Sequence, residues 1–90
     1  MIVNGRDAAA LDEFVRQLRA EGHSARAAAF DAHDVPKIRA FFGGLARLDV
    51  LVNNIGFMEM KSFAALESGD FTATYAATVG TAFETVRAAL

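Results

Sequence analysis

Leu48-Asp49-Val50-Leu51-Val52-Asn53-Asn54-Ile55-Gly56 is the stretch on which the reading of the fold turns. Val50, Leu51 and Val52 form an apolar run without polar alternation. A strand has this pattern when helices cover both of its faces, as in a parallel sheet. The run then breaks into two asparagines and ends on Gly56. Asparagine tolerates unusual backbone angles and bonds its own main chain, while glycine lets a ligand approach closely. Ligands of open parallel sheets bind outside the carboxyl ends of the strands, so small polar residues here have a functional reading. An ordinary strand-to-loop exit has the same composition, and this stretch alone does not separate the two.

The 90 residues bound the answer. One small domain of this length buries about 60–65% of its extended surface. With 53% hydrophobic and 22% charged residues and a single proline, the chain reads as globular and not disordered. The net charge is −2, and the nine basic residues are scattered from Arg6 to Arg87, so no basic stripe exists for nucleic acid. Absence of cysteine excludes disulfides and thiolate metal sites and permits a reducing compartment. His23 and His33 have no second ligand at metal spacing and read as surface loop residues, so no metal site is expected. The first residues carry neither a basic nor a long apolar region of a signal peptide. No apolar run approaches the ~18 residues of a membrane span. A soluble, cytoplasmic chain is the expectation.

Working outward, Ile2 and Val3 begin a short strand that turns at Asn4-Gly5. Asp7 can cap the following helix, in which Leu11, Phe14, Val15 and Leu18 fall at i, i+3, i+4 and i+7 as one apolar stripe. Gly22 sits where a left-handed residue would stop that helix. Residues 25–30 are the next candidate strand, with helix as the rival because alanine is a poor strand former. The break at Gly22-His23-Ser24 before them and Asp31 after them favour the strand. Asp34 and Pro36 mark a second helix start, and Ile38, Phe41, Phe42 and Leu45 repeat the stripe. Gly43-Gly44 weakens this helix by roughly 1 kcal/mol per glycine if both are interior.

The strand at residues 49–53 comes next, and then a loop over residues 57–66. Phe57, Met58, Met60 and Phe63 in that loop either pack beneath it or line a substrate cleft. Ser68 caps the last helix and Asp70 suits its first turn. Phe71, Tyr75, Val79, Ala82, Phe83, Val86 and Leu90 keep a helical period to the last residue, the pattern of a chain that was cut, not finished. The order β-α-β-α-β-loop-α implies a parallel sheet with right-handed crossovers. The expected core is Val3, Leu11, Phe14, Val15, Leu18, Phe30, Ile38, Phe41, Phe42, Leu45, Val50, Leu51, Val52, Val79 and Phe83.

At this point the residues resemble the short-chain dehydrogenase/reductase family. Leu51-Val52-Asn53-Asn54-Ile55-Gly56 resembles the family's Asn-Asn-Ala-Gly segment after its fourth strand, with Ile55 in place of alanine. Ile2-Val3-Asn4-Gly5-Arg6 resembles the end of its second strand, and Phe30-Asp31-Ala32-His33-Asp34 the segment after its third. Residues 71–90 resemble the helix that carries a catalytic asparagine. The resemblance covers the whole chain in order and spacing. It implies a partial Rossmann-like, doubly wound parallel sheet of about three strands with helices on both faces, one incomplete dinucleotide-binding domain over residues 1–90. It also implies cofactor-binding roles for Arg6, Asp31, Ala32, Asn53, Ile55 and Gly56. A basic residue in the place of Arg6 implies preference for the 2′-phosphate of NADP, while Asp31 and Ala32 would border the adenine. For an isolated arginine, a solvated turn residue is the plain alternative.

The departures shape the functional expectation. Thr78 stands in the place of the catalytic Asn; it lacks an amide that donates and accepts together, and its plain reading is helix packing. The sole tyrosine, Tyr75, is followed by Val79 and not lysine at i+4, so it reads as a core-facing aromatic and not the family's acid. The family's Gly-rich turn and its Ser and Tyr-x-x-x-Lys group find no match in residues 1–90. The chain therefore reads as a segment of an NADP-dependent oxidoreductase for a small-molecule carbonyl or alcohol, inactive by itself, with weak or absent cofactor binding and no catalytic residue of its own. A non-catalytic α/β remnant that associates with itself through exposed strand edges is the alternative. For the sheet, either the third, second and fourth family strands close up in that order, or a gap remains where the first belongs.

Overall fold

Two short parallel strands, β1 (Ile2–Gly5) and β2 (Arg26–Ala29), are joined by helix α1 (Ala8–Ala20). The computed structural model describes residues 1–90, and its chain divides into two compact units, Met1–Lys37 and Ile38–Leu90. In the first, Ile2 pairs with Arg26 and Gly5 with Ala29. Helix α1 begins where the sequence puts it: the Asp7 carboxylate accepts the Ala10 N–H at 3.0 Å. It ends before Gly22, whose φ of 90° belongs to the left-handed region open to glycine. Leu11 and Val15 are buried, Leu18 is half-buried and Phe14 is exposed, so the buried stripe is narrower than expected. Residues 26–29 are strand, which settles the helix–strand choice there.

Helix α2 (Val35–Gly43) starts after Asp34, whose carboxylate accepts the Lys37 N–H at 3.3 Å. It stops at the first glycine of the Gly43-Gly44 pair, leaving Leu45 outside it. In the second unit Ile38 is 1% exposed, and the rings of Phe41 and Phe42 meet edge to face at 5.3 Å. A 3₁₀ turn (Phe63–Ala65) interrupts the loop, and helix α3 (Ser68–Tyr75) follows. Its cap is Glu67 and not Ser68, and the Glu67 N–H donates to Asp70 Oδ2 at 3.0 Å. Between α3 and α4 (Thr81–Ala89) lies a π-helical turn, Ala76–Gly80, where an unbroken helix was expected. No helix is long and apolar enough to cross a membrane.

The third strand is absent. β1 and β2 form a two-stranded sheet, and residues 49–53 pair with neither. A strand exists through the bonds it exchanges with a neighbour, and an apolar run alone does not supply one. Val50 and Val52 are accordingly 75% and 79% exposed instead of core. The same correction applies to Val79 and Phe83, which lie exposed on the helical segment. Val3, Phe30, Phe41, Phe42, Leu45 and Leu51 are half-buried. Phe57, Met58, Met60 and Phe63 do not pack beneath the loop; all are exposed. Tyr75 is exposed as well and stacks on Phe71 at 6.4 Å, so it is not a core aromatic.

Candidate functional site

The carboxyl ends of β1 and β2 are closed by the Phe30 N–H, which donates to the Gly5 carbonyl at 3.1 Å. The Asn4 side chain adds two bonds, donating from Nδ2 to the carbonyls of Ala28 at 2.8 Å and Phe30 at 3.1 Å. This brings Arg6 and Asp31 to the same end of the strand pair, as the sequence implied. Asp31 Oδ1 accepts the His33 N–H at 2.9 Å and lies 3.0 Å from His33 Nδ1. The Asp31 carbonyl also accepts the Asp34 N–H at 3.0 Å, which closes a turn. The backbone bond from His33 holds the Asp31 carboxyl below its ordinary value, helped by the His33 side chain and, least, by the charge of Arg6. Arg6 is exposed and makes no hydrogen bond within the chain, while Ala32 is buried.

In the second unit Asn53, Ile55 and Gly56 follow the apolar run, all exposed. Two threonines hold this segment. Thr78, inside the π turn, accepts the Phe57 N–H at 3.2 Å and donates to the Phe57 carbonyl at 3.4 Å. A single hydroxyl thus both donates and accepts, which corrects the expectation that Thr78 only packs in its helix. Gly56 runs close by: a Cβ there would stand 3.7 Å from Thr78 Cγ2. Thr85, 6% exposed, donates to Asn53 Oδ1 at 2.6 Å and also lies 3.0 Å from the Ala82 carbonyl.

Phe57 and Met58, with Phe71, Thr74, Tyr75, Thr78 and Val79, line an open apolar hollow of about 400 Å³. Its only polar side-chain groups are the hydroxyls of Thr74, Thr78 and Tyr75. The loop is tied to α3 by Lys61, whose ammonium bonds both Asp70 oxygens at 3.1 and 3.2 Å.

Sequence reasoning missed Thr85, Asn4 and the His33 contact to Asp31. Thr85 carried a signal, a polar residue between Ala82 and Val86 on the apolar period of α4. Its partner, 32 positions away, carried none.

The model of the short chain dehydrogenase family matches residues 1–90. The uncharacterized oxidoreductase YvrD of Bacillus subtilis (strain 168) is 31% identical, over 97% of this chain and 34% of its own length. A crystal structure from Agrobacterium tumefaciens, provisionally assigned as a gluconate dehydrogenase, superposes with a TM-score of 0.89 at 32% identity, covering 98% of this chain and 36% of that one. A gluconate 5-dehydrogenase from Burkholderia cenocepacia J2315, solved with NADP and tartrate, gives 0.81 at 27% identity over 98% and 36%. The chain spans about a third of the length of these relatives. On the match along its whole length, this chain belongs to the short-chain dehydrogenase family of oxidoreductases.

Proposed function

We propose that residues 1–90 are an incomplete dinucleotide-binding domain of an NADP-dependent oxidoreductase, binding the adenosine-phosphate end of the cofactor and inactive by itself. The observation that carries the reading is that Arg6 and Asp31 both follow the carboxyl ends of two parallel strands, where such sheets take ligands. The Arg6 guanidinium, free of bonds within the chain, offers two parallel N–H donors to a 2′-phosphate. Asp31 Oδ1 is occupied by His33, and Oδ2 is left to accept from the adenine amine. Ala32 borders the ring, and Asn53, Ile55 and Gly56 are assigned to the cofactor on the family resemblance. The NADP complex of the Burkholderia relative supports the choice of cofactor.

The bound cofactor's nicotinamide supplies the hydride, and the substrate class is a small-molecule carbonyl or alcohol. Reduction also needs a positioned acid for the developing alkoxide. Residues 1–90 offer no Tyr-x-x-x-Lys group, and Thr78 is engaged with Phe57. Without a Gly-rich turn at a helix N-terminus most of the pyrophosphate charge goes unmet, so binding is weak. A cysteine-free chain of this kind suits the cytoplasm. NADPH oxidation by the purified chain against a panel of carbonyl compounds tests the reading: no turnover is expected. Turnover that copurifies with the chain and vanishes on mutating one of its own residues contradicts it.

A second reading, a non-catalytic module that associates with itself through exposed strand edges, is favoured by the two-stranded sheet, in which β1 and β2 each lack a second neighbouring strand. Size-exclusion chromatography separates them, since a dimer without NADP affinity supports only the second.

A further inference from the structure

We propose that residues 49–53 are a docking strand for a second copy of this chain, paired antiparallel about a two-fold axis at Leu51. The inference is independent of the cofactor reading and gives self-association a place other than β1 and β2. From residue 50 to residue 62 the chain adopts no regular element, and residues 50–53 exchange no backbone hydrogen bond with any part of it. Main-chain donors and acceptors left open in a row are a template for another strand. The side chains already alternate as a strand requires. Leu51 is half-buried and Asn53 is tied to Thr85 at 2.6 Å, while Val50 and Val52 are 75% and 79% exposed. One side of the segment is thus held by the chain's own residues, and the other presents two bare valines.

Charge and burial select the occupant. A parallel pair in register would set Asp49 against Asp49 of the other copy, a like-charge contact. An antiparallel pair centred on Leu51 sets Asp49 opposite uncharged Asn53 instead, and Arg47 of the same copy meets the Asp49 carboxylate at 2.8 Å. This register also sets each Val50 opposite Val52 of the other copy, so that both exposed side chains gain cover. A slip of one residue would put an exposed valine opposite half-buried Leu51 and forfeit that cover. Side chains approach closest in the non-hydrogen-bonded pairs of an antiparallel ladder, which suits the valines. The hydrogen-bonded pair is then Leu51 with Leu51, each N–H donating to the other's carbonyl. Such a two-fold pair is closed. The ribbon is short, so the dimer is weak and fills only with rising concentration. The hold on Leu51 and Asn53 lowers the ordering cost of pairing.

Sedimentation equilibrium of the full 90-residue chain over a wide range of concentration, with amide exchange followed by NMR, tests the inference. A monomer–dimer equilibrium is expected. The Leu51 N–H should exchange more slowly as the dimer fills, while those of Val50 and Val52 stay fast. A first variant, Val50→Lys with Val52→Lys, puts like charges opposite each other and should weaken the dimer roughly tenfold. A second, Val50→Glu with Val52→Lys, puts opposite charges across the antiparallel pair and should dimerise better than the first. In a parallel pair the second variant would set like charges together as well. Both positions are exposed, so both variants should melt like wild type. A chain that stays monomeric overturns this inference and the second reading together. A dimer indifferent to the first variant overturns this inference alone and places self-association at another edge. Equal weakening by the two variants overturns the antiparallel register, and growth beyond a dimer overturns the closed pair.

Discussion

Thr78 meets both backbone polar atoms of one residue, Phe57, at 3.2 Å from its nitrogen and 3.4 Å from its oxygen. The helical segment thereby grips the loop just after Gly56 without a second side chain. Thr78→Val should cost about 0.5–1.5 kcal/mol, the net worth of a hydrogen bond, and Thr78→Ser should cost less. Denaturant melts give the energies, and amide exchange at Phe57 gives the location. Phe57 exchange unchanged in Thr78→Val would remove the clamp from the account.

What could be read from the sequence was local. The Asp7 cap, the Leu11 and Val15 stripe and the Gly22 stop each depend on residues within a few positions, and all three appear in the structure. The strand at residues 49–53 did not appear, because its ladder depends on a neighbour that sequence adjacency does not supply. Val50 and Val52 then lost the cover their pattern implied. At the candidate site the positions of Arg6 and Asp31, just beyond β1 and β2, followed from where the two strands end. The Thr78–Phe57 and Thr85–Asn53 bonds were not, since they join positions 21 and 32 residues apart.

Burial should rank the apolar substitutions. Ile38→Ala removes the most deeply buried large side chain and should cost ~2–5 kcal/mol. Phe83→Ala, at a residue 59% exposed, should stay within about 0.5 kcal/mol. Half-buried Phe41, edge to face with Phe42, should fall between them. Urea denaturation of the three variants checks the order, and a larger loss for Phe83→Ala would mean that α4 is covered in solution.

Asp7→Ala should cost ~0.5–2 kcal/mol, because it leaves the Ala10 N–H without its side-chain acceptor. Asp7→Asn, which keeps an acceptor oxygen, should retain most of the stability. Circular dichroism melts of the pair provide the comparison.

The acid limb of stability should report Asp70. The Glu67 N–H, then the Lys61 ammonium, hold its folded pKa below the ordinary 3.8. A lowered folded value means that the contribution is complete above the unfolded pKa and is lost as pH falls through the folded one. Wild-type stability should therefore decline below about pH 3.8 with a slope that Asp70→Asn reduces. Asp70→Asn should also be less stable than wild type at neutral pH. Urea melts across the acid range measure both, and an unchanged slope would remove Asp70 from the acid response.

Titration of the purified chain with NADP⁺ and NAD⁺ at matched ionic strength, in wild type and Arg6→Ala, tests the central claim most directly. The account predicts weak binding, around a millimolar dissociation constant or about −4 kcal/mol, tighter for NADP⁺ than for NAD⁺. Arg6→Ala should erase that preference by removing the fork that meets the 2′-phosphate. Equal affinity of the wild type for both cofactors, or an NADP⁺ preference that survives Arg6→Ala, would contradict it.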